Sequence, residues 1–223
     1  MQSAAFRKRE GRCLLAGKNC IEEVSYARLI VTKRSLIPKN NTCEVYLVTD
    51  ALMKKISGLV NPEGILAEVA IPEERPLTGT KIVVADRVQD PGNLGTLIRS
   101  SLAFGWDGMF LLTGSVDPYN DKALRAAKGA TFHLPLQSGS WQDLKKIIEE
   151  NRLQLVVADT KGKAPDAFSN MPIGLVLGNE AKGPDVPLPH ETVTLAMNGQ
   201  MESLNVSVAG SILLYLYQGS ISL

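Results

Sequence analysis

The stretch 81-KIVVADRVQDPGNLGTLIRSSLAFGWDGMFLLTG-114 decides the fold. It opens on one apolar run, KIVVADRV, and closes on another, MFLLTG. Between them Leu94, Leu97, Ile98, Ser101 and Leu102 follow the i, i+3, i+4, i+7, i+8 spacing of a helix with one buried face. Asn93, after a Pro-Gly turn, is placed to cap that helix, predicted over 93–104. Strand, helix and strand in this order, with both strands almost wholly Val, Leu and Ile, indicate a parallel sheet covered on both faces. The outer face of the helix is unusual. Lys and Glu ordinarily solvate such a face, but here Thr96, Ser100 and Ala103 surround a single charge, Arg99.

The alternation continues downstream with a helix near 121–128, TFHLPL (131–136), a helix over 141–151, LQLVVADT (153–160), IGLVLGNE (173–180) and TVTLAMNG (192–199). The segment 203-SLNVSVAGSILLYLYQ-218 is apolar on nearly every side and is expected to be a buried helix. Upstream, 72-PEERPLTGT-80 is charged, holds two prolines and a glycine, and reads as a linker. Before it stand a helix-like stretch (11–24), the runs ARLIV (27–31) and EVYLVT (44–49), a helix-like ALMKKISGL (51–59), and ILAEVAI (65–71). Two domains are therefore expected: a small α/β unit over 1–74 and a larger parallel-sheet unit over 79–223.

Of the 223 residues 44% are hydrophobic and 21% charged, as in a water-soluble globular protein. No apolar run approaches the ~20 residues of a membrane span, and the first residues lack a secretory core. A cytoplasmic setting is expected, or an organelle if a leader is absent from this chain. Cys13, Cys20 and Cys43 lie in no metal-ligand spacing, so reduced thiols and no metal are expected. Net charge is only +1, but residues 1–39 carry nine Lys or Arg against three acidic residues, and the remainder is acidic on balance. A basic front on a mildly acidic body suits a part that grips phosphates.

In parallel sheets ligands settle outside the carboxyl ends of the strands. Three loops stand there: 90-DPGNLGTLIR-99, 178-GNEAKGPD-185 and 197-MNGQMESLNVS-207. Each joins glycine, which permits close backbone approach, to short polar side chains. Taken singly, each could be no more than a tight turn with a helix cap. Neither a dinucleotide G-x-G-x-x-G nor a phosphate-binding loop ending in Lys-Ser/Thr is present, which disfavours a dehydrogenase or an NTPase.

Together the loops resemble the motifs of the SpoU/TrmH branch of the SPOUT methyltransferases. DPGNLGTLIRSSLAFG is similar to the first motif, LVLGNEAKG to the second, and LAMNGQMESLNVSVAGSILLY to the third. The front unit, from FRKREGRCLLAGKNCIEE to NPEGILAEVAIP, resembles the family's small RNA-binding domain related to ribosomal proteins. Ala196 and Ala181 depart from the Pro and Gly common in the family; both are small, and tolerance is expected.

The resemblance implies a trefoil-knotted parallel-sheet domain that uses S-adenosylmethionine to methylate a ribose 2′-hydroxyl in structured RNA, rRNA in preference to tRNA, and that works as a homodimer. It implies cofactor contacts at Gly178, Leu195, Met197, Ser203 and Leu204. The catalytic group would be Arg99, Asn93, Glu180, Ser203 and Asn205. An arginine does not lose its proton in a protein. Arg99 is therefore expected to clamp the adjacent phosphate and steady the developing alkoxide, with Glu180 pairing to it and the two asparagines orienting the ribose. The small-residue face around Arg99 would meet a second subunit. Arg7, Lys8, Arg9, Arg12, Lys122, Arg125 and Lys128 are expected to contact RNA phosphates. His133 and His190 are not expected to take part. The alternative is an RNA-binding relative without catalysis, distinguished by whether the chain binds S-adenosylmethionine.

Overall fold

The computed structural model describes residues 3–168, 171–179, 185–199 and 202–218. Two sheets organise it. The first combines β1 (Arg12–Ala16), β2 (Arg28–Val31), β3 (Glu44–Leu47) and β4 (Ile65–Ala70) in the order β1-β4-β2-β3. In it β4 runs antiparallel to β1 and β2, and β3 runs parallel to β2. Helices α1 (Ala4–Glu10), α2 (Lys18–Glu22) and α3 (Asp50–Ser57) accompany this sheet.

The second sheet has six strands, all parallel, in the order β10-β8-β9-β5-β6-β7. They are β5 (Lys81–Ala85), β6 (Gly108–Leu112), β7 (Leu136–Gly139), β8 (Gln154–Lys163), β9 (Ile173–Leu177) and β10 (Glu191–Val193). Helices α4 (Pro91–Ala103), α5 (Asp121–Ala127), α6 (Trp141–Asn151) and α7 (Val206–Leu216) cover it. Its strands are buried from both sides: β6 and β9 have no exposed residue. One apolar layer holds Val83, Leu97, Met109 and Leu175 with α4 and α7, and the other holds Val84, Phe110 and Val176 with Leu144 of α6. The two sheets meet through α5, whose Leu124 enters the core of the first sheet beside Leu15 and Leu29. The stretch 72–80 has no regular structure, yet it is pinned: Leu77 is buried and Arg75 donates to the carbonyl of His133.

Five sequence expectations need correction. The region 11–24 is a strand followed by a short helix, because Gly17, at φ +100, turns the chain between them. TFHLPL is not a strand. Ala130–Phe132 form a 3-10 turn and pairing with β6 begins only at Leu136, after Pro135, which has no N–H to give a ladder. Helix α4 starts at Pro91 with Asp90 as its cap, the Asp90 side chain accepting from Asn93 N–H. Leu102, assigned to the buried face, is exposed. Helix α7 is not buried all round either: Val208, Ile212, Tyr215 and Leu216 face outward.

Candidate cofactor cavity at the carboxyl ends of β8, β9 and β10

The outer half of β8, the loops leaving β9 and β10 and the start of α7 enclose a cavity of about 370 Å³. Its position is the one that a parallel sheet offers to ligands. Gly178, Leu195, Met197, Ser203 and Leu204, all five expected at the cofactor, line it. Asn179 and Asn205 do so too, over a floor of Leu177, Val193 and Leu213. Ala158, Asp159 and Thr160 complete the wall and were missed from the sequence. The signal was present, since LQLVVADT is a parallel strand ending in polar residues at the ligand side. Asp159 is the only ionisable side chain among the described lining residues.

The first and third loops meet directly. Asn205 Nδ2 donates to Asn93 Oδ1 at 3.1 Å. Asn205 is also the cap of α7, its Oδ1 accepting from the backbone N–H groups of Ser207 and Val208. Asp90 caps α4, and the Asn93 side chain faces Asn205. Further along, Ser100 and Ser211 share a hydroxyl hydrogen bond at 2.8 Å, and Thr96 donates to the carbonyl of Gly92. Part of the small-residue face is thus occupied within the chain. Gly95 serves another contact: a Cβ there would lie 2.3 Å from the carbonyl oxygen of Ala123 in α5.

The first and second loops are joined by a buried carboxylate. Asp86, 1% exposed, receives both Nε and Nη2 of Arg87 at 2.8 Å. The same carboxylate accepts from the backbone N–H of Asp185, and the carbonyl of Arg87 accepts from Asn179 Nδ2. Arg87 takes a left-handed φ of +54 to do this, and its stem packs over Gly114. Residues 179 and 185 are therefore both tied to the turn after β5.

Arg99 is exposed on α4 and does not line the cavity. It stands one turn after Gly95, the residue at which α4 packs against α5. Glu180, its expected partner, falls outside the described residues, as does Ala181. Ser203 is exposed at the cavity wall.

Most of the expected phosphate contacts are engaged elsewhere. Arg7 is 4% exposed and paired with Asp117, so it is a buried structural contact and not an RNA ligand. Arg12 binds the buried carboxylate of Glu68, Arg125 pairs with Asp121, Lys122 with Asp90, and Arg9 with its neighbour Glu10. Lys8 and Lys128 are exposed. His133 and His190 are both exposed, and His190 Nδ1 contacts the carbonyl of Leu188. The three cysteines are free; burial pushes the Cys13 thiol up to about 12, which makes it inert. No group of metal-ligating side chains occurs among the described residues, and no described helix is long and apolar enough to cross a membrane.

Comparison with known proteins agrees with this arrangement. The model of the SpoU rRNA Methylase family matches residues 80–215. The 23S rRNA (guanosine(2553)-2′-O)-methyltransferase RlmP of Bacillus subtilis is 31% identical, the match covering 96% of this chain and 91% of that protein. The mitochondrial rRNA methyltransferase 3A of Danio rerio is 30% identical over 75% of this chain and 46% of its own. Among solved structures, the SpoU methyltransferase AviRb of Streptomyces viridochromogenes superimposes with a TM-score of 0.84 at 23% identity, over 96% of this chain and 92% of that one. The fold, the loops that meet at one cavity and the full-length likeness lead to one conclusion: the chain belongs to the SpoU rRNA methylase family.

Proposed function

We propose that this chain methylates the 2′-hydroxyl of a ribose in structured RNA, rRNA in preference to tRNA, with S-adenosylmethionine as donor. The observation that carries the reading is the cavity, in which the loops after β9 and β10 and the cap of α7 gather every described residue expected at the cofactor. The full-length relative named as a 23S rRNA 2′-O-methyltransferase supports rRNA as the substrate.

The cavity suits this cofactor. Apolar walls from Leu177, Val193, Leu195 and Leu213 fit an adenine and a thioether, while Gly178 and Leu204 offer main-chain donors and acceptors at its rim. Its one ionisable side chain among the described residues, Asp159, is an acid. That polarity favours a cationic ligand over a phosphate-bearing one. When bound, S-adenosylmethionine supplies a methyl group already activated on a sulfonium. The chain must then align a poor nucleophile and manage its proton. Asn93 and Asn205, fixed to each other and through the α7 cap, orient the ribose. Arg99 holds the neighbouring phosphate and stabilises charge at the attacking oxygen, the proton passing to a phosphate oxygen or water.

Arg99 lies outside the cavity of its own chain, and this placement favours a site shared between two copies. The outward face of α4 with Leu102 and Ala103, and that of α7 with Val208, Ile212 and Tyr215, supply the apolar surface for a homodimer. The trefoil crossing belongs to the same reading and is supported by the insertion of β9 between β5 and β8. So does a division into an RNA-binding domain over 1–74 and a methyltransferase domain over 79–223.

The test is direct. Calorimetric titration with S-adenosylmethionine should show micromolar binding, and tritiated methyl should pass to ribosomal RNA and resist base removal. Arg99→Ala should lower turnover at least 100-fold while leaving cofactor affinity within twofold. Absence of cofactor binding would leave only an RNA-binding module.

A further inference from the structure

The pairing of Arg7, Arg9, Arg12, Lys122 and Arg125 with carboxylates leaves the question of which cations remain for a polyanion. The loop between β2 and β3, 32-TKRSLIPKNNT-42, lies within a run from Val24 to Cys43 that holds no acidic residue. Lys33, Arg34 and Lys39 are all exposed, and among the described residues none has an ion pair or a side-chain hydrogen bond.

The loop is built rather than slack. Thr32 N–H donates to the carbonyl of Gly64, and Leu36 and Ile37 N–H groups close a 3-10 turn on the carbonyls of Lys33 and Arg34. Leu36 and Ile37 pack on the core of the first sheet, and Asn41 Nδ2 donates to the carbonyl of Cys43. Lys33 and Arg34 are thus held outward on a fixed turn, with Lys39 just beyond it, so little backbone ordering entropy would be lost on binding.

Its location completes the argument. The register sets Ala16 of β1 against Leu66 and Val31 of β2 against Ile65, so Gly17–Lys18 and Thr32–Arg34 leave the sheet at one end. Glu23, at the end of the α2 helix that follows Lys18, lies against Gly129 just past α5, and α5 packs on α4 at Gly95, one turn before Arg99. The turn over Thr32–Leu36 therefore projects from the end of the first sheet that carries α2, and Lys39 lies on the return to β3, which runs parallel to β2.

We propose that loop 32–42 is a phosphate clamp, in which Lys33, Arg34 and Lys39 take backbone phosphates of the RNA segment that leads away from the nucleotide beside Arg99. This rests on the RNA reading given above and names the surface that grips the RNA. Phosphate contacts of this kind position an RNA without reading its sequence.

The test uses the full chain with protein-free ribosomal RNA as probe. Lys33→Ala/Arg34→Ala/Lys39→Ala should weaken RNA binding at least tenfold and reduce the slope of log Kd against log salt by about 2, as expected for roughly three lost phosphate contacts. Its affinity for S-adenosylmethionine and its melting temperature should not change. Lys33→Arg/Lys39→Arg should bind like the unmodified chain, and Lys145→Ala/Lys146→Ala, which removes charge from exposed α6, should stay within twofold. RNA affinity and salt slope unchanged in the triple variant would overturn the clamp while leaving a methylating chain intact. Failure of the unmodified chain to methylate, with the slope still altered in the triple variant, would overturn the activity and keep the clamp.

Discussion

Asn205 holds Asn93 from 112 positions away, with a single side chain performing two tasks: its oxygen caps α7 and its amide nitrogen reaches the first loop. The tasks can be separated. Asn205→Asp keeps the cap and adds a favourable charge at a helix N-terminus, but it removes the donor to Asn93. Thermal stability should be unchanged or slightly higher while methyl transfer falls at least tenfold. Asn205→Ala loses both tasks and should also lose about 1 kcal/mol of stability. Melting curves and single-turnover rates on the two variants check this; equal activity in Asn205→Asp and the unmodified chain would remove the orienting role.

Gly95 lets α4 and α5 approach until their backbones nearly touch. A methyl group there meets the Ala123 carbonyl and the Ala126 Cβ, neither of which can rotate away. Gly95→Ala raises intrinsic helix propensity, yet it should cost about 1–3 kcal/mol through overpacking, with a drop in Tm of roughly 2–10 °C. A rise in Tm by calorimetry would mean that the helices separate easily.

Val208 and Ile212 offer the surface on which the proposed dimer depends. Ile212→Glu should convert the protein to a monomer in sedimentation velocity at micromolar concentration, with methyl transfer lost and the fold retained by circular dichroism. A chain that is monomeric without any substitution, and active, would require Arg99 to act within its own subunit.

Asp90 links the cap of α4 to acid stability. The Lys122 ammonium, followed by the Asn93 backbone N–H, holds its carboxyl below the usual range. A depressed folded pKa contributes stability that is present above the unfolded value, about 3.9, and lost as pH falls through the folded one. Asp90→Asn, an equally good cap, should therefore show a shallower decline in Tm between about pH 5 and pH 2. Tm measured at intervals across that range tests it, and parallel curves for the two proteins would contradict it.

Much of this molecule was legible in the sequence because parallel strands announce themselves. KIVVA, MFLL and IGLVL are buried on both faces, so their apolar runs are unbroken, and α6 was readable to its ends, between its Ser140 cap and Arg152. The lining of the cavity was legible for a related reason: loops after such strands must share one edge. What escaped was set by partners distant in the chain. Asp90 displaced Asn93 as cap, a choice local spacing cannot resolve when both residues precede the same helix. The expected RNA contact at Arg7 conflicts with its burial because charge was visible but Asp117, the carboxylate that engages it, lies 110 residues away; Arg12 pairs with Glu68, 56 residues away, and stays half-exposed. TFHLPL carried the period of a strand without the pairing of one.

The strand order carries a kinetic consequence. Among the described residues, the hydrogen-bonded neighbours of strand β8 are β9 and β10, and both come later in the chain. While a ribosome is still making residue 170, Leu155, Val156 and Val157 have no ladder to join, although β5, β6 and β7 can already pair. Half of the sheet must therefore wait, with a sticky strand exposed, until β9 enters between two strands made before it. Pairing of this kind, non-local and completed late, is expected to make refolding slow.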